Sequence, residues 1–349
     1  MNDHSAGGLP GIKPDFDFSN LSSTQNTTAV ADSEFFLLRS ARQCLLDANM
    51  RPSPRMLFGE FWFEGELCIL FSDSNVGKSI LAVQIGESIA TRQAISPLKL
   101  QAEAQKVVYF DFELSDKQFE NRYSIDYTAH YPFSANLKRA VINPENIIPS
   151  HFTDFEEYLN YSIEKAVITT GTKVLVIDNI TYLRNETENA RNALPLMKAL
   201  KKLKSKYELS ILALAHTPKR DASKPITRND LQGSKMLMNF CDSSFTIGES
   251  THDNTIRYLK QIKQRNTEQL YGADNVCLFR IQKPGNFLQY AFVDYGSEYQ
   301  HLKQADGNKD NGELKEQVAK LRADGLTIRE VADQLGISRS KVERLLKKD

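Results

Sequence analysis

The apolar run Ile69-Leu70-Phe71 passes through the small-residue loop Ser72-Asp73-Ser74-Asn75-Val76 into Gly77-Lys78-Ser79, and then into a helical pattern carried by Ile80, Leu81 and Val83. A strand, a tight loop and a helix in that order make a phosphate cradle. Backbone N–H groups of the loop and the helix N-terminus point at the phosphates, the lysine reaches the β and γ oxygens, and the hydroxyl joins the Mg²⁺ shell. Lys78 and Ser79 take those roles here, and Ser72 to Ile80 form the expected ATP cradle. Two residues depart from the usual pattern. Ser72 stands where such a loop normally opens with glycine, and Asp73 would repel phosphate if its carboxylate pointed inward.

A chain of 349 residues with 41% hydrophobic content can bury one large core and a small module besides. Lys plus Arg and Asp plus Glu both number 44, so a polyanionic partner must be argued from local charge. The cysteines at 44, 68, 241 and 277 have no metal-site spacing and read as buried, reduced thiols. No run is long enough to cross a bilayer and no leader-like stretch is present, so the expected location is the cytoplasm, with no membrane partner.

Residues 1–33 are rich in Ser, Asn, Thr, Asp and Gly and read as a disordered tail. Phe35 to Ala48 repeats apolar residues at helical spacing and predicts a lead-in helix. Apolar strands at Glu66–Phe71, Val107–Phe112, Ala140–Ile142, Val174–Asp178 and Ile211–Ala215 then alternate with helices, which implies a parallel sheet covered on both faces. After Asp242 four strand-like runs follow without long helices, predicting an antiparallel extension. The fold class expected is therefore α/β, with an ATPase domain over 34–302, a linker over 303–312 and a small all-α domain over 313–349.

Open α/β sheets bind ligands beyond the carboxyl ends of their strands. Asp178 ends one strand, where an acid near Mg²⁺ is needed. Asp111 and Glu113 end another, on one face, and either could orient the attacking water. Glu113 is favoured because it is nearer the strand end and precedes a plausible Ser115/Gln118 capping box. His216 ends a third and could sense the γ-phosphate.

Together these segments resemble the RecA-like hexameric helicases, in particular the DnaB and plasmid RepA branch. Phe112 to Phe119 is similar to the strand-end segment whose Glu is the catalytic base, and Val174–Asp178 resembles the Walker B strand. Asp230-Leu231-Gln232-Gly233-Ser234, followed by Cys241 to Phe245, is similar to two further motifs of that branch. Ile262-Lys263-Gln264-Arg265-Asn266 resembles its finger strand, in which Lys263 and Arg265 would reach a neighbouring subunit's nucleotide. His216 stands where RepA-like proteins carry His. The resemblance implies a RecA-like fold, ATP and Mg²⁺ as cofactors, and a homo-oligomeric ring, hexameric or related, with single-stranded DNA in its channel.

The loop after His216 carries Lys219, Arg220, Lys224 and Arg228, cations suited to sequence-independent contact with DNA phosphates. At the C-terminus, Leu314, Val318 and Leu321 mark one helix, Thr327 to Leu335 a second, Gly336-Ile337-Ser338 a turn, and Arg339 to Lys347 a third. Arg339, Lys341 and Arg344 on that third helix suit a duplex groove, and the unit resembles the helix-turn-helix of resolvases and small regulators. The reading is an ATP-hydrolysing ring ATPase acting on DNA, of helicase or translocase type, in replication or mobilisation of a plasmid or integrated element. A KaiC- or RecA-like ATPase without unwinding, or a DNA-bound regulator whose nucleotide site controls assembly, are the alternatives.

Overall fold

The computed structural model describes residues 36–180, 193–218, 220–231, 234–303 and 309–346. The expected tail over 1–33 lies outside them. The chain divides into two compact units, 1–53 and 54–349. In the first, helix α1 (Ala41–Asn49) starts later than the apolar spacing predicts, because Ser40 accepts the Gln43 N–H at 3.1 Å and caps it. None of its residues is buried, and Cys44 is exposed rather than buried.

The second unit opens with the short pair β1 (Met56–Phe58) and β2 (Trp62–Phe63). Strand β3 (Leu67–Ser72), the loop and helix α2 (Lys78–Thr91) follow. Next come β4 (Val107–Asp111), α3 (Asp116–Arg122), the two-residue strands β5 (Ser124–Ile125) and β6 (Ala129–His130), and β7 (Leu137–Ala140). Helix α4 (Phe155–Thr170), β8 (Val174–Asp178), α5 (Ala193–Tyr207), β9 (Ser210–His216) and α6 (Ser234–Phe240) complete the alternating part. Strands β10 (Ser243–Glu249), β11 (Ile256–Lys263), β12 (Val276–Gln282) and β13 (Gln289–Gly296) form the extension.

The main sheet runs β13-β12-β11-β10-β3-β9-β8-β4-β7. Pairs from β10 to β7 are parallel and those from β10 to β13 antiparallel, as the loss of helices after Asp242 predicts. Because strand side chains alternate, Cys68 and Leu70 of β3 join the core beneath α2, while Leu67, Ile69 and Phe71 join the core under α4, α5 and α6. This is the α/β, RecA-like arrangement, with the P-loop strand at its centre. Strand β7 ends at Ala140 instead of covering 140–142, and Val141 and Ile142 beyond it are exposed.

The last helices are α7 (Lys309–Ala323), α8 (Ile328–Leu335) and α9 (Arg339–Leu346). Helix α7 begins inside the stretch expected as linker, of which 304–308 lie outside the described residues. Val318, Val331, Ala332, Val342 and Leu345 make the small core of this helix-turn-helix. Thr327 and Glu330 form a capping box at the start of α8, Gly336 turns the chain at φ +63°, and Ser338 accepts the Lys341 N–H at 3.3 Å. Among the described residues no helix is long and apolar enough to cross a membrane.

Candidate nucleotide site

Gly77 caps α2 at φ +105°, a conformation that favours glycine. A Cβ there would lie 2.6 Å from Tyr290 Oη and 2.8 Å from Ile281 Cδ1, so strands β12 and β13 press against the P-loop from behind. Two groups from the extension hold the loop. Arg257 Nε and Tyr290 Oη each donate to the Val76 carbonyl at 3.0 Å, and Tyr290 is tied to α2 through both backbone hydrogen bonds with Gln84. Nothing in the local sequence signals either residue, because both arrive through strand register.

Lys78 Nζ donates to the carbonyls of Ser72 and Asp73 at 3.1 and 2.9 Å, and lies 3.1 Å from His216 Nδ1. An ammonium has only hydrogens to give, so Nδ1 accepts and Nε2 carries the proton that points at Glu113 Oε1, 3.3 Å away. Asn179 donates to the same carboxylate oxygen. Lysine, imidazole and carboxylate thus form one chain from the phosphate cradle to the candidate base. The His216 hydrogen bond holds the Glu113 carboxyl below its usual range, and burial lowers Lys78.

Asp178 is buried beside them. Burial pushes its carboxyl up to about 6, partly offset by hydrogen bonds from Ser79 and Tyr109, whose Oη lies 2.6 Å away. The half-buried Ser79 hydroxyl and the buried Asp178 carboxylate against a phosphate cradle would fit a Mg²⁺, which takes few protein ligands. Among the described residues no three His, Cys, Asp or Glu side chains gather as a metal cage.

Asp111, the last residue of β4, and Glu113, two residues past it, divide clearly. Asp111 Oδ1 accepts the Glu113 and Leu114 N–H groups at 3.1 and 2.9 Å, and its Oδ2 accepts Arg139 Nε at 2.9 Å. It shapes the turn, and Glu113 is left facing the site. Ser115 and Gln118 form the expected capping box of α3.

The carboxylate of Asp73 accepts from Thr217 and sits 3.4 Å from Arg220 Nε, so its charge is engaged away from the lysine. That pairing engages Arg220, one of the cations expected to face DNA. Its side chain is 10% exposed and also donates to the Lys224 carbonyl at 3.1 Å. Lys224 and Arg228 are exposed, and Lys219 lies outside the described residues, as do Gln232 and Gly233.

Lys263 and Arg265 are not at this site. Lys263 donates to the Met238 and Cys241 carbonyls at the end of α6, and Arg265 Nη1 lies 3.0 Å from Asp242 Oδ1. In the helix-turn-helix, Arg339 is exposed and Lys341 half-buried, while the Arg344 side chain lies outside what the structure describes.

A family profile described as an AAA domain matches residues 38–222, more than half of the chain. A homeodomain-like profile matches residues 312–348, the helix-turn-helix. No curated protein matches the chain. Among solved structures it is similar to a KaiC-like protein from the hyperthermophilic archaeon Pyrococcus horikoshii OT3, at 14% identity and a TM-score of 0.47, over 67% of this chain and 91% of that one.

Proposed function

Since the chain belongs to the AAA domain family, we propose that it is a RecA-like ring ATPase that hydrolyses ATP to act on DNA as a helicase or translocase in the cytoplasm. The ATPase body spans 34–302 and the duplex-binding unit 313–349. Lys78 and the amides of Ser74 to Ser79 hold the phosphates, and Ser79 with Asp178 holds Mg²⁺, which supplies charge neutralisation there. Glu113 orients the attacking water and takes its proton. His216, in contact with both Lys78 and the base, reports the γ-phosphate to the loop that follows it.

The placement of the finger pair carries the ring reading. Lys263 of β11 pairs with Ser244 of β10, which pairs with Ile69 of β3, and Asp242 beneath Arg265 bonds the backbone of Leu67. Arg265 therefore stands level with the amino end of β3, whereas the P-loop follows its carboxyl end. Five residues of strand separate those levels, roughly 16 Å. Arg265 stands too far from its own phosphates to serve them and fits those of a neighbour bound head to tail, the kind of contact that makes a ring when its rotation closes.

Exposed Lys224 and Arg228 would contact a single strand in the channel without regard to sequence, while Arg339, Lys341 and Arg344 read duplex. Kinship with the DnaB and plasmid RepA branch, and a role in replication or mobilisation of a plasmid or integrated element, rest on the order of the motifs. The decisive experiment is ATP turnover measured with and without single-stranded DNA, with strand displacement on a forked duplex and the mass in solution with nucleotide. Turnover should require assembly and rise with single strands. Equal turnover by a monomer, indifferent to DNA, would overturn the reading.

A further inference from the structure

We propose that Asp242 is a positioning residue for Arg265, fixing the guanidinium where it can meet a neighbouring subunit's phosphates. This rests on the trans-acting finger proposed above.

Asp242 sits between α6 and β10 and is itself clamped. Its Oδ2 accepts the Leu67 N–H at 3.0 Å and Lys204 Nζ at 2.8 Å, so the carboxylate cannot turn. Although burial acts against it, those two donors hold its carboxyl below the usual range. The free oxygen, Oδ1, faces Arg265 Nη1 at 3.0 Å, and Nη2 reaches the Asn239 carbonyl at 3.5 Å. The bracket is 14% exposed and the arginine 49% exposed. A rigid base and an open guanidinium suit a group that must wait in one orientation, because a long arginine held by nothing would lose side-chain entropy on each engagement.

The surrounding charge points the same way. Lys263, the last residue of β11 and two residues before Arg265, is held by the Met238 and Cys241 carbonyls, and Lys201 is close enough to disfavour its charge. Lys263 and Arg265 both feel the Asp242 carboxylate, which also serves Lys204, and Lys201 adds positive charge beside Lys263. The excess positive charge suits an incoming polyphosphate.

Asp242→Asn keeps an oxygen for the Leu67 N–H and removes the charge. We expect kcat to fall about tenfold or more with KM for ATP changed by less than about twofold, because the subunit's own P-loop is untouched. Mixed with Lys78→Ala protein, the variant should regain turnover, since its intact P-loop then meets an intact finger. Mixed with Arg265→Ala protein, it should stay inactive. A merely structural defect would depress the mixtures alike. The control is Arg265→Ala with Lys78→Ala: if assemblies form and this pair never recovers activity, both the trans finger and the Asp242 proposal fall. If the control recovers and Asp242→Asn does not, or if Asp242→Asn turns over normally alone, Asp242 does not position the finger and the trans reading stands. Should the amide variant fail to fold, Asp242→Glu, which keeps the charge and displaces it, is judged by the same outcomes.

Discussion

Arg257 Nε donates across 3.0 Å to the carbonyl oxygen of Val76, joining the antiparallel half of the sheet to the middle of the P-loop. The same guanidinium takes the Asn254 and Ile256 carbonyls and pairs with Glu249 at 2.9 Å, so its plane is fixed from several sides. Arg257→Ala should raise KM for ATP roughly tenfold, the scale of one charge-assisted hydrogen bond, with a smaller effect on kcat. Arg257→Lys should recover little, because an ammonium cannot reproduce the fork. Unchanged KM in the alanine variant would show that the P-loop holds its shape without this brace.

Glu113→Gln should bind ATP and hydrolyse it at least about a hundredfold more slowly, as removal of a general base does. Asp111→Asn should behave differently. It weakens the Arg139 contact and the turn preceding α3, so its signature is a lower melting temperature with a moderate loss of turnover. The comparison is single-turnover hydrolysis beside thermal unfolding. A greater catalytic loss in Asp111→Asn at unchanged stability would reverse the assignment.

The P-loop is legible in the sequence because its parts are contiguous in the chain, and Asp178, Glu113 and His216 because polar residues ending apolar strands stand out. What holds these groups in place is not. Arg139, Arg257 and Tyr290 reach the site only through strand register and from distant parts of the chain, while Tyr109 and Asn179 lie close to those strand-end residues but find partners that no local pattern encodes. The surroundings of Arg220 are hidden for the same reason. A cation in a basic loop looks free until Asp73, far earlier in the chain, is found against it. Asp73, in turn, looks hostile to phosphate until Thr217 and Arg220 are seen to engage its charge.

Burial lifts the Asp178 carboxyl from 3.8 to about 6, which gives the apoprotein a pH signature. A carboxyl with a raised folded pKa favours the fold fully below its unfolded value, and that contribution is lost as pH rises through the folded value. The window is therefore about 4 to 6, and the cost above it is on the order of 3 kcal/mol. Asp178→Asn should unfold several degrees above the parent at pH 8 without nucleotide, with the gap closing as pH falls through 6. Addition of ATP and Mg²⁺ should reverse the order at pH 8 by stabilising only the parent. A gap that does not vary with pH would remove Asp178 as its source.

The helix-turn-helix and the loop after β9 present cations of different placement, and they should be separable. Because α7 already begins at Lys309, a chain ended at Lys303 removes the three-helix unit whole, whereas a cut at residue 313 would leave part of a helix exposed. The shortened protein should lose sequence-selective duplex binding and keep basal ATPase and its stimulation by nonspecific single strands. Arg339→Ala should lower preference for the cognate duplex by about 1–3 kcal/mol if Arg339 reads a base edge. Changing Lys224 and Arg228 together should weaken strand-stimulated turnover and flatten its salt dependence, because each cation withdrawn from a phosphate lowers the salt slope by about one unit. Site choice should not move. Arg220→Ala should instead act on ATP binding through Asp73, since its side chain is withdrawn from the loop surface. Titrations at several salt concentrations, beside ATPase rates for each variant, distinguish these outcomes. If the shortened chain retains its duplex preference, α9 contacts protein rather than DNA.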